Sequence, residues 1–195
     1  SEVLVIADET ARARYVAADL LSQAEHDRLA SAVLLTDSET LAQAVLRELE
    51  TQSNRLERRD IIRDSLKNYG AVIVMESLDD CAALANEIAP EHLEICTADP
   101  RALLGGIRNA GAVFLGENSP EPLGDYMAGP SHVLPTSGTA RFFSPLSAES
   151  FLKKMSVIDF SREALAQTAD SIITLAEAEK LTAHANSVRI RFDGK

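Results

Sequence analysis

The sequence has few cysteines, few aromatic residues and no tryptophan, and it lacks long apolar runs. Two cysteines, Cys81 and Cys96, occur in 195 residues, which excludes a fold built on disulfides. They form no Cys-x-x-Cys pair, so we interpret both as reduced thiols in the core of a cytosolic protein. No apolar run reaches the roughly 20 residues that a membrane-spanning helix needs, so we expect no membrane contact.

Positive charge is also scarce. Nineteen Lys and Arg residues stand against 30 Asp and Glu residues, for a net charge of −11. A surface this acidic repels phosphate backbones, so we expect no nucleic-acid partner. The apolar run in the opening residues 1–8 is too short and too acidic for a signal peptide. We therefore expect a cytoplasmic protein. The length fits one domain, or one domain with an appendage.

Short apolar runs alternate with helical patterns along the first two thirds of the chain. We predict strands at 3–7, 32–35, 71–75, 93–96 and 112–115, of which the first two should be buried. Ser77 and Asp80 have the spacing of a capping box, which predicts a helix ending near Ile88, and Pro100 begins another. This alternation predicts an α/β fold: a Rossmann-like, mostly parallel sheet with helices on both faces.

The helical pattern of the remaining residues predicts a separate C-terminal tail. We divide the sequence into an α/β domain portion at 1–146 and a helical tail at 147–195. The tail should contain a helical segment beginning at Phe151 and Leu152, and a longer helix from about Arg162 to His184. Residues 188–192 alternate apolar and basic side chains, which predicts a short final strand. With little chain around it, this tail should dock on another domain or subunit.

The segment 116–145 is the first candidate for a functional site. It holds five of the seven prolines and four of the nine glycines. A loop this long inside a compact domain is uncommon unless it is functional or disordered, and its apolar content argues against disorder. The loop carries Asp125 and His132, although such an Asp more often bonds its own backbone in a turn.

Three further groups of residues could take part in metal binding or catalysis, and each also has an ordinary structural interpretation. Gln23 and His26 are spaced to share one helical face, as a metal clip requires, but such pairs usually face solvent. Glu91 and His92 suit acid–base work, provided that a turn aims both side chains at one site. His184 ends a helix, where a cation also suits the helix dipole. Neither a dinucleotide glycine motif nor a phosphate-binding P-loop motif is present.

Several separated blocks of the sequence resemble histidinol dehydrogenase, in order and along essentially the whole chain. The blocks are Leu-Leu-Ser-Gln-Ala-Glu-His at 20–26, Pro-Glu-His-Leu-Glu at 90–94, the stretch from Phe-Leu-Gly at 114–116 to His-Val-Leu-Pro-Thr-Ser-Gly at 132–138, Gly-Asp-Tyr at 124–126 and Leu-Thr-Ala-His-Ala-Asn at 181–186. All four histidines fall inside them. The ordinary interpretations of the single residues do not explain this coincidence.

The resemblance implies a reaction, two cofactors and a set of site residues. The family oxidises L-histidinol through L-histidinaldehyde to L-histidine, the last steps of histidine biosynthesis, with NAD as hydride acceptor. Zinc would be bound by Gln23, His26 and Asp125 of one subunit and His184 of its homodimer partner. His92 would accept the alcohol proton, and Glu91 would activate water. The implied substrate contacts are Ser1, Gln23, His26, His92, Asp125, His132, Glu179 and His184, the last two from the partner.

Family members are much longer than this chain, which begins where theirs leave the nucleotide-binding domain. We therefore expect a C-terminal portion whose NAD contacts lie in the N-terminal portion and which is inactive alone. Three alternatives stay open. The chain could belong to a related dehydrogenase of another amino alcohol or polyol, it could be a stand-alone metal-binding or dimerisation module, or it could be a structural α/β domain without metal.

Overall fold

A computed structural model describes residues 1–194, which form two compact units, Ser1–Phe151 and the chain from Leu152 onward. The first unit contains all five strands found in residues 1–194. Its elements are β1 (Glu2–Ala7), α1 (Ala13–Ala24), β2 (Ser31–Thr36), α2 (Glu39–Ser53), α3 (Arg59–Tyr69), β3 (Gly70–Val74), α4 (Leu78–Ile88), β4 (His92–Cys96), α5 (Pro100–Leu104), β5 (Ala112–Leu115) and α6 (Glu121–Tyr126).

The five strands form one sheet in the order β3-β2-β1-β4-β5. Every pairing is parallel, with Val3 of β1 opposite Ala32 of β2 on one side and His92 of β4 on the other. The chain moves outward from β1 to one edge, then crosses back to fill the other side, as in one half of a Rossmann fold. The predicted α/β fold with a parallel sheet is confirmed.

Alternate residues of β1 show why helices cover both faces. Val3 and Val5 pack in one cluster with apolar residues of α1, α2 and α3, including Leu20. Leu4 and Ile6 pack on the opposite face with residues of α4 and α5. A central parallel strand that is buried on both faces must be apolar throughout, and the predicted helices on both faces are confirmed.

Helix α4 ends where the most informative strand begins. The hydroxyl of Ser77 accepts a hydrogen bond from the Asp80 N–H (3.2 Å) and donates to the Asp80 carboxylate (2.7 Å), so the predicted cap is confirmed. At the other end Ala89 has φ of 54°, a left-handed conformation that stops the helix. The chain then turns through Pro90 into β4.

The second unit is a pair of helices, α7 (Arg162–Ala178) and α8 (Thr182–Arg189). The single long helix predicted from Arg162 to His184 is wrong, because Lys180 adopts a φ of 62° and the Leu181 N–H closes the end of α7 on the Ala176 carbonyl. A bond of 2.6 Å between Arg189 and Glu177 joins the two helices.

Two other predictions for the tail are wrong. The helical segment expected from Phe151 and Leu152 is a short 3-10 turn, Ala148–Phe151, followed by irregular chain to Ser161. The side chains of this segment are exposed, and a short helix that packs against nothing is unstable in water. The strand expected at 188–192 is absent from residues 1–194, because α8 runs to Arg189 and turns follow. A strand needs a ladder partner, and alternation alone does not supply one.

Within residues 1–194 the structure has no helix of the length and apolarity that crossing a bilayer requires.

Candidate functional site

A cavity lined by three of the candidate residues lies against the edge strand β5. Its volume is about 420 Å³, and it is lined by β5 and by the Gly/Pro-rich segment that follows. His92, Asp125 and His132 all line it. The sequence had placed these residues in two separate motifs, and the fold brings them to one cavity.

The turn that an adjacent acid and base require is present. Glu91 lies at a bend two residues after the left-handed Ala89, and His92 is the first residue of β4. Both side chains are buried, at 7 % and 3 % exposure. Oε2 of Glu91 and Nδ1 of His92 are 3.8 Å apart. The carboxylate and the imidazole therefore lie next to each other, although adjacent strand residues normally point apart.

Hydrogen bonding assigns the two nitrogens of His92 different tasks. Nδ1 lies 2.9 Å from the backbone carbonyl oxygen of Glu2. Because a carbonyl only accepts, Nδ1 carries the hydrogen in the neutral ring and Nε2 keeps its lone pair. Among residues 1–194 no group hydrogen-bonds the buried Nε2, which lies 3.6 Å from Oε1 of Glu121. An unpaired basic nitrogen at a cavity is ready to take a proton from a bound molecule.

Glu121 is a site residue that sequence reasoning missed. It begins α6, four residues before Asp125, so both carboxylates share one side of a short helix. Ligand atoms of His92, Glu121 and Asp125 lie within 4.8 Å of one another. Burial, followed by the neighbouring Asp125, raises the pKa of Glu121 above its ordinary value. The one signal was its position between two prolines in the long loop.

Behind this cluster lies a second pair of carboxyl groups, one buried and one half-buried. Glu94, 1 % exposed in the middle of β4, accepts a hydrogen bond of 2.8 Å from the N–H of Glu121. The carboxyl group of Asp19 of α1 lies beside it. Burial, followed by the charge of Asp19, raises the pKa of Glu94. A glutamate inside an apolar strand was the available sequence signal.

Gln23 and His26 do not share one helix. Gln23 lies in the last turn of α1, which ends at Ala24, and His26 follows in a turn whose N–H bonds the Gln23 carbonyl at 3.1 Å. The prediction that both lie on one helical face is wrong, because α1 ends before His26. Gln23 is 2 % exposed, and its Oε1 has no hydrogen-bond partner. A buried amide oxygen needs a hydrogen-bond donor or a cation in place of the water that it loses on burial.

The other predicted residues lie at separate places. Ser1 donates its hydroxyl hydrogen to Oε2 of Glu91 at 2.8 Å, so it adjoins the candidate acid–base residues Glu91 and His92. His132 is exposed at the cavity. Glu179 and His184 belong to the second unit, at the end of α7 and in α8, and both are exposed.

Two glycines hold backbone close to site residues. A Cβ at Gly124 would lie 2.7 Å from two ring carbons of Phe114, which lines the cavity. A Cβ at Gly111 would lie 2.5 Å from the carbonyl oxygen of Glu91. Neither position has room for a side chain, so both glycines fix the backbone next to a candidate catalytic or ligand residue.

Comparison with known proteins identifies the family. The family model for histidinol dehydrogenase matches residues 1–192. The chain is 65 % identical over 187 residues to a histidinol dehydrogenase of Caldanaerobacter subterraneus subsp. tengcongensis, covering 96 % of this chain and 44 % of that protein. Against the Clostridium acetobutylicum histidinol dehydrogenase, identity is 54 % over 192 residues, covering 98 % and 44 %.

A solved structure agrees with the sequence comparisons. The crystal structure of histidinol dehydrogenase from Elizabethkingia anophelis matches with a TM-score of 0.91 at 41 % identity, covering 98 % of this chain and 44 % of that one. The chain thus spans less than half the length of these relatives. On the family match over nearly its whole length, this chain belongs to the histidinol dehydrogenase family.

Proposed function

We propose that the polypeptide carrying this chain is a zinc-dependent dehydrogenase that oxidises L-histidinol through the aldehyde to L-histidine, with NAD as hydride acceptor. One observation supports it above the others. The unpaired Nε2 of the buried His92 adjoins a cavity that Asp125 and His132 also line. This is the arrangement that proton abstraction from a bound alcohol requires, since a general base must reach its proton. This chain would be the C-terminal portion and inactive alone.

The residues of this chain suit zinc. The buried Oε1 of Gln23 lacks a hydrogen-bond partner, and a metal ion would satisfy it. Nitrogen and carboxylate ligands of the kind offered by His26 and Asp125 are common for zinc. We assign the ion to Gln23, His26 and Asp125 with His184 of the partner subunit. When bound, zinc would hold the imidazole and amine of the substrate rather than generate a nucleophile.

His92 would act in both oxidations. Its Nδ1–H is held by the Glu2 carbonyl, so Nε2 is the nitrogen that accepts the hydroxyl proton as hydride leaves the carbon. Glu121, 3.6 Å from Nε2, adjoins the positive charge that the ring then carries. The Glu2 contact keeps the neutral ring in one tautomer, and the Glu121 carboxyl group lies where the ring's charge develops.

Glu91 would act on the aldehyde. One of its oxygens, Oε2, accepts hydrogen bonds from the Ser1 hydroxyl (2.8 Å) and the Glu2 N–H (2.9 Å). These bonds fix the carboxylate, and its Oε1 remains to take a proton from the water that adds to the aldehyde carbon. The hydrate formed in this way is again an alcohol, which His92 can deprotonate.

The residues described here do not suit the dinucleotide. The turn between β1 and α1, where a Rossmann fold binds pyrophosphate, runs from Asp8 to Arg12 without a glycine. Asp8 also occupies this turn, and its negative charge opposes a phosphate. We therefore assign the NAD contacts to the remainder of the polypeptide.

The remaining parts of the proposal concern assembly and substrate. Glu179 and His184 would complete the site of the partner subunit in a homodimer, and His132 would contact the substrate. The two buried free cysteines are consistent with a cytoplasmic enzyme. A dehydrogenase of another amino alcohol on the same zinc frame is the alternative that shares most residues.

The test is the stoichiometry of NAD reduction by the zinc-loaded protein carrying this chain. We expect two NADH for each L-histidinol consumed, loss of activity on chelation and recovery with zinc. The control substrate is an amino alcohol in which a phenyl ring replaces the imidazole, and it should react poorly. Turnover of the control equal to that of histidinol would favour the alternative dehydrogenase. Zinc binding without NADH from either alcohol would instead indicate a metal-binding module.

A further inference from the structure

Glu2 contacts both predicted catalytic residues, although no sequence pattern singled it out. Its backbone N–H donates to Oε2 of Glu91 at 2.9 Å, and its carbonyl oxygen accepts from Nδ1 of His92 at 2.9 Å. Its carboxylate accepts from the Glu91 N–H (3.3 Å) through Oε2 and from the Ser137 N–H (2.8 Å) through Oε1. All the polar groups of Glu2 are thus used at the site or at the loop that forms it.

The backbone and side-chain contacts have different consequences. Any residue except proline at position 2 would offer the same N–H and carbonyl, so the tautomer of His92 does not depend on the side chain. The carboxylate does what few other side chains can, because its two acceptor oxygens meet two N–H donors from distant parts of the chain. A charged acceptor makes these bonds stronger than a neutral one would.

We infer that Glu2 is a positioning residue, whose carboxylate ties the backbone of Glu91 to the segment 116–145 so that Glu91 and His92 keep one arrangement relative to the cavity. This inference rests on the proposed function, because positioning matters for turnover only if Glu91 and His92 carry the chemistry. Ser137 strengthens the argument. Its φ of 56° is a left-handed conformation that the Glu2 bond helps to hold.

The decisive variant is Glu2→Gln. The amide keeps one acceptor oxygen but turns an NH2 group toward the other backbone N–H, so one of the two bonds is lost without a change in volume. We expect kcat with L-histidinol to fall about 10- to 100-fold, as the loss of a charge-assisted hydrogen bond predicts. Zinc affinity should stay within about twofold, since Glu2 contacts none of the proposed ligands through its side chain.

Amide hydrogen exchange gives a readout that does not require activity. Exchange of the Glu91 and Ser137 amides should accelerate in Glu2→Gln, while amides in the centre of β2 keep their protection. The matched control is Glu9→Gln, an exposed carboxylate just after the other end of β1, and it should leave kcat, zinc affinity and exchange unchanged. If Glu2→Gln does not fold, Glu2→Asp, which keeps the charge but is one methylene shorter, should show the same separation of kcat from zinc affinity.

The outcomes separate this inference from the proposed function. An inactive wild-type protein would contradict the proposed function, while accelerated exchange at Glu91 and Ser137 would still support the tie through Glu2. An active wild-type protein with unchanged kcat in Glu2→Gln would overturn the inference alone. A parallel loss of kcat, zinc affinity and melting temperature would also overturn it, because it would show a general structural role.

Discussion

The ring of Phe114 lies directly against the backbone of Gly124, where a Cβ would come 2.7 Å from two ring carbons. Phe114 belongs to β5, while Gly124 lies in α6 directly before Asp125. In Gly124→Ala either the ring or the helix must move. We expect a loss of about 1–3 kcal/mol in unfolding free energy, as for other overpacked sites, and a weaker zinc affinity measured by titration against a chelator.

Gly105→Ala is the control for this substitution. Gly105 follows α5 with an ordinary φ of −63°, and a Cβ there would meet nothing within 4 Å. The change should leave zinc affinity unchanged and be neutral or stabilising by up to about 1 kcal/mol. Equal zinc affinity in both alanine variants would show that the approach of Phe114 to Gly124 does not position Asp125.

Gln23 offers a prediction in which stability and metal binding change in opposite directions. Its unpaired buried Oε1 is a cost to the metal-free protein, of about 1–3 kcal/mol for such a group. Gln23→Leu should therefore leave the zinc-free protein as stable as the wild type, or more stable. The rise in melting temperature on adding zinc should shrink, because binding to the folded state is weaker.

The exposed Gln43 of α2 gives the matched control. Gln43→Leu should keep the full zinc-induced rise in melting temperature. A full zinc effect in Gln23→Leu would contradict the assignment of Gln23 to the metal.

Much of the fold could be predicted because local signals and burial agree along the first unit. The five apolar runs are strands, the three central ones buried and the two edge strands only partly so, and Ser77 caps its helix as its spacing indicates. The strand prediction for the tail was wrong because alternating apolar and basic residues at 188–192 fit a helix end as well as a strand. Without a neighbouring strand to pair with, the backbone satisfies its hydrogen bonds within α8 instead.

The site was predictable only where a residue is distinctive in sequence. Histidines are rare in this chain, so His92 and His132 could be weighed one by one, and both line the cavity. Glu2, Glu94 and Glu121 are three of many acidic residues, and nothing in their spacing shows that a 90-residue gap closes between Glu2 and His92. Such contacts depend on strand order, which sequence patterns do not specify.

Mixing two inactive variants tests whether the site is shared between subunits. We expect His92→Asn to lower kcat by about 10²- to 10⁴-fold, as loss of a general base does, and His184→Ala to weaken zinc binding. If His184 serves the partner, a mixed dimer has one intact site. Random reassociation of equal amounts should then restore about a quarter of wild-type activity, because half the dimers are mixed and each has one working site.

The control is the same mixture without dissociation and reassociation of the dimers. It should stay inactive, since no mixed dimers form. No recovery after exchange, with mixed dimers verified by mass spectrometry, would contradict the shared site.

The pair of Asp19 and Glu94 predicts how stability depends on pH. Burial raises the pKa of Glu94 in the folded state above the ordinary 4.5. Below pH 4.5 both folded and unfolded states bind its proton, and above it the unfolded state releases the proton first. Because the folded state then binds more protons, this group makes stability fall as pH rises from about 4.5 through neutrality. Glu94→Gln should reduce that fall, as measured by urea unfolding between pH 5 and 8.

The glutamine keeps the acceptor for the Glu121 N–H and can donate to Asp19, so the geometry should persist. Glu50→Gln, at an exposed position of α2, is the control and should leave the pH dependence unchanged. A wild-type fall in stability that Glu94→Gln does not reduce would contradict the raised pKa of Glu94.

We propose that L-histidinol binds with its hydroxyl at Nε2 of His92 and its imidazole on a shared zinc. A crystal structure of the zinc-loaded protein with L-histidinol is the first test. We expect zinc bound by Gln23, His26 and Asp125 with His184 of the partner subunit, and a hydroxyl oxygen within hydrogen-bond distance of Nε2. Zinc on other residues, or a hydroxyl beyond the reach of His92, would contradict it.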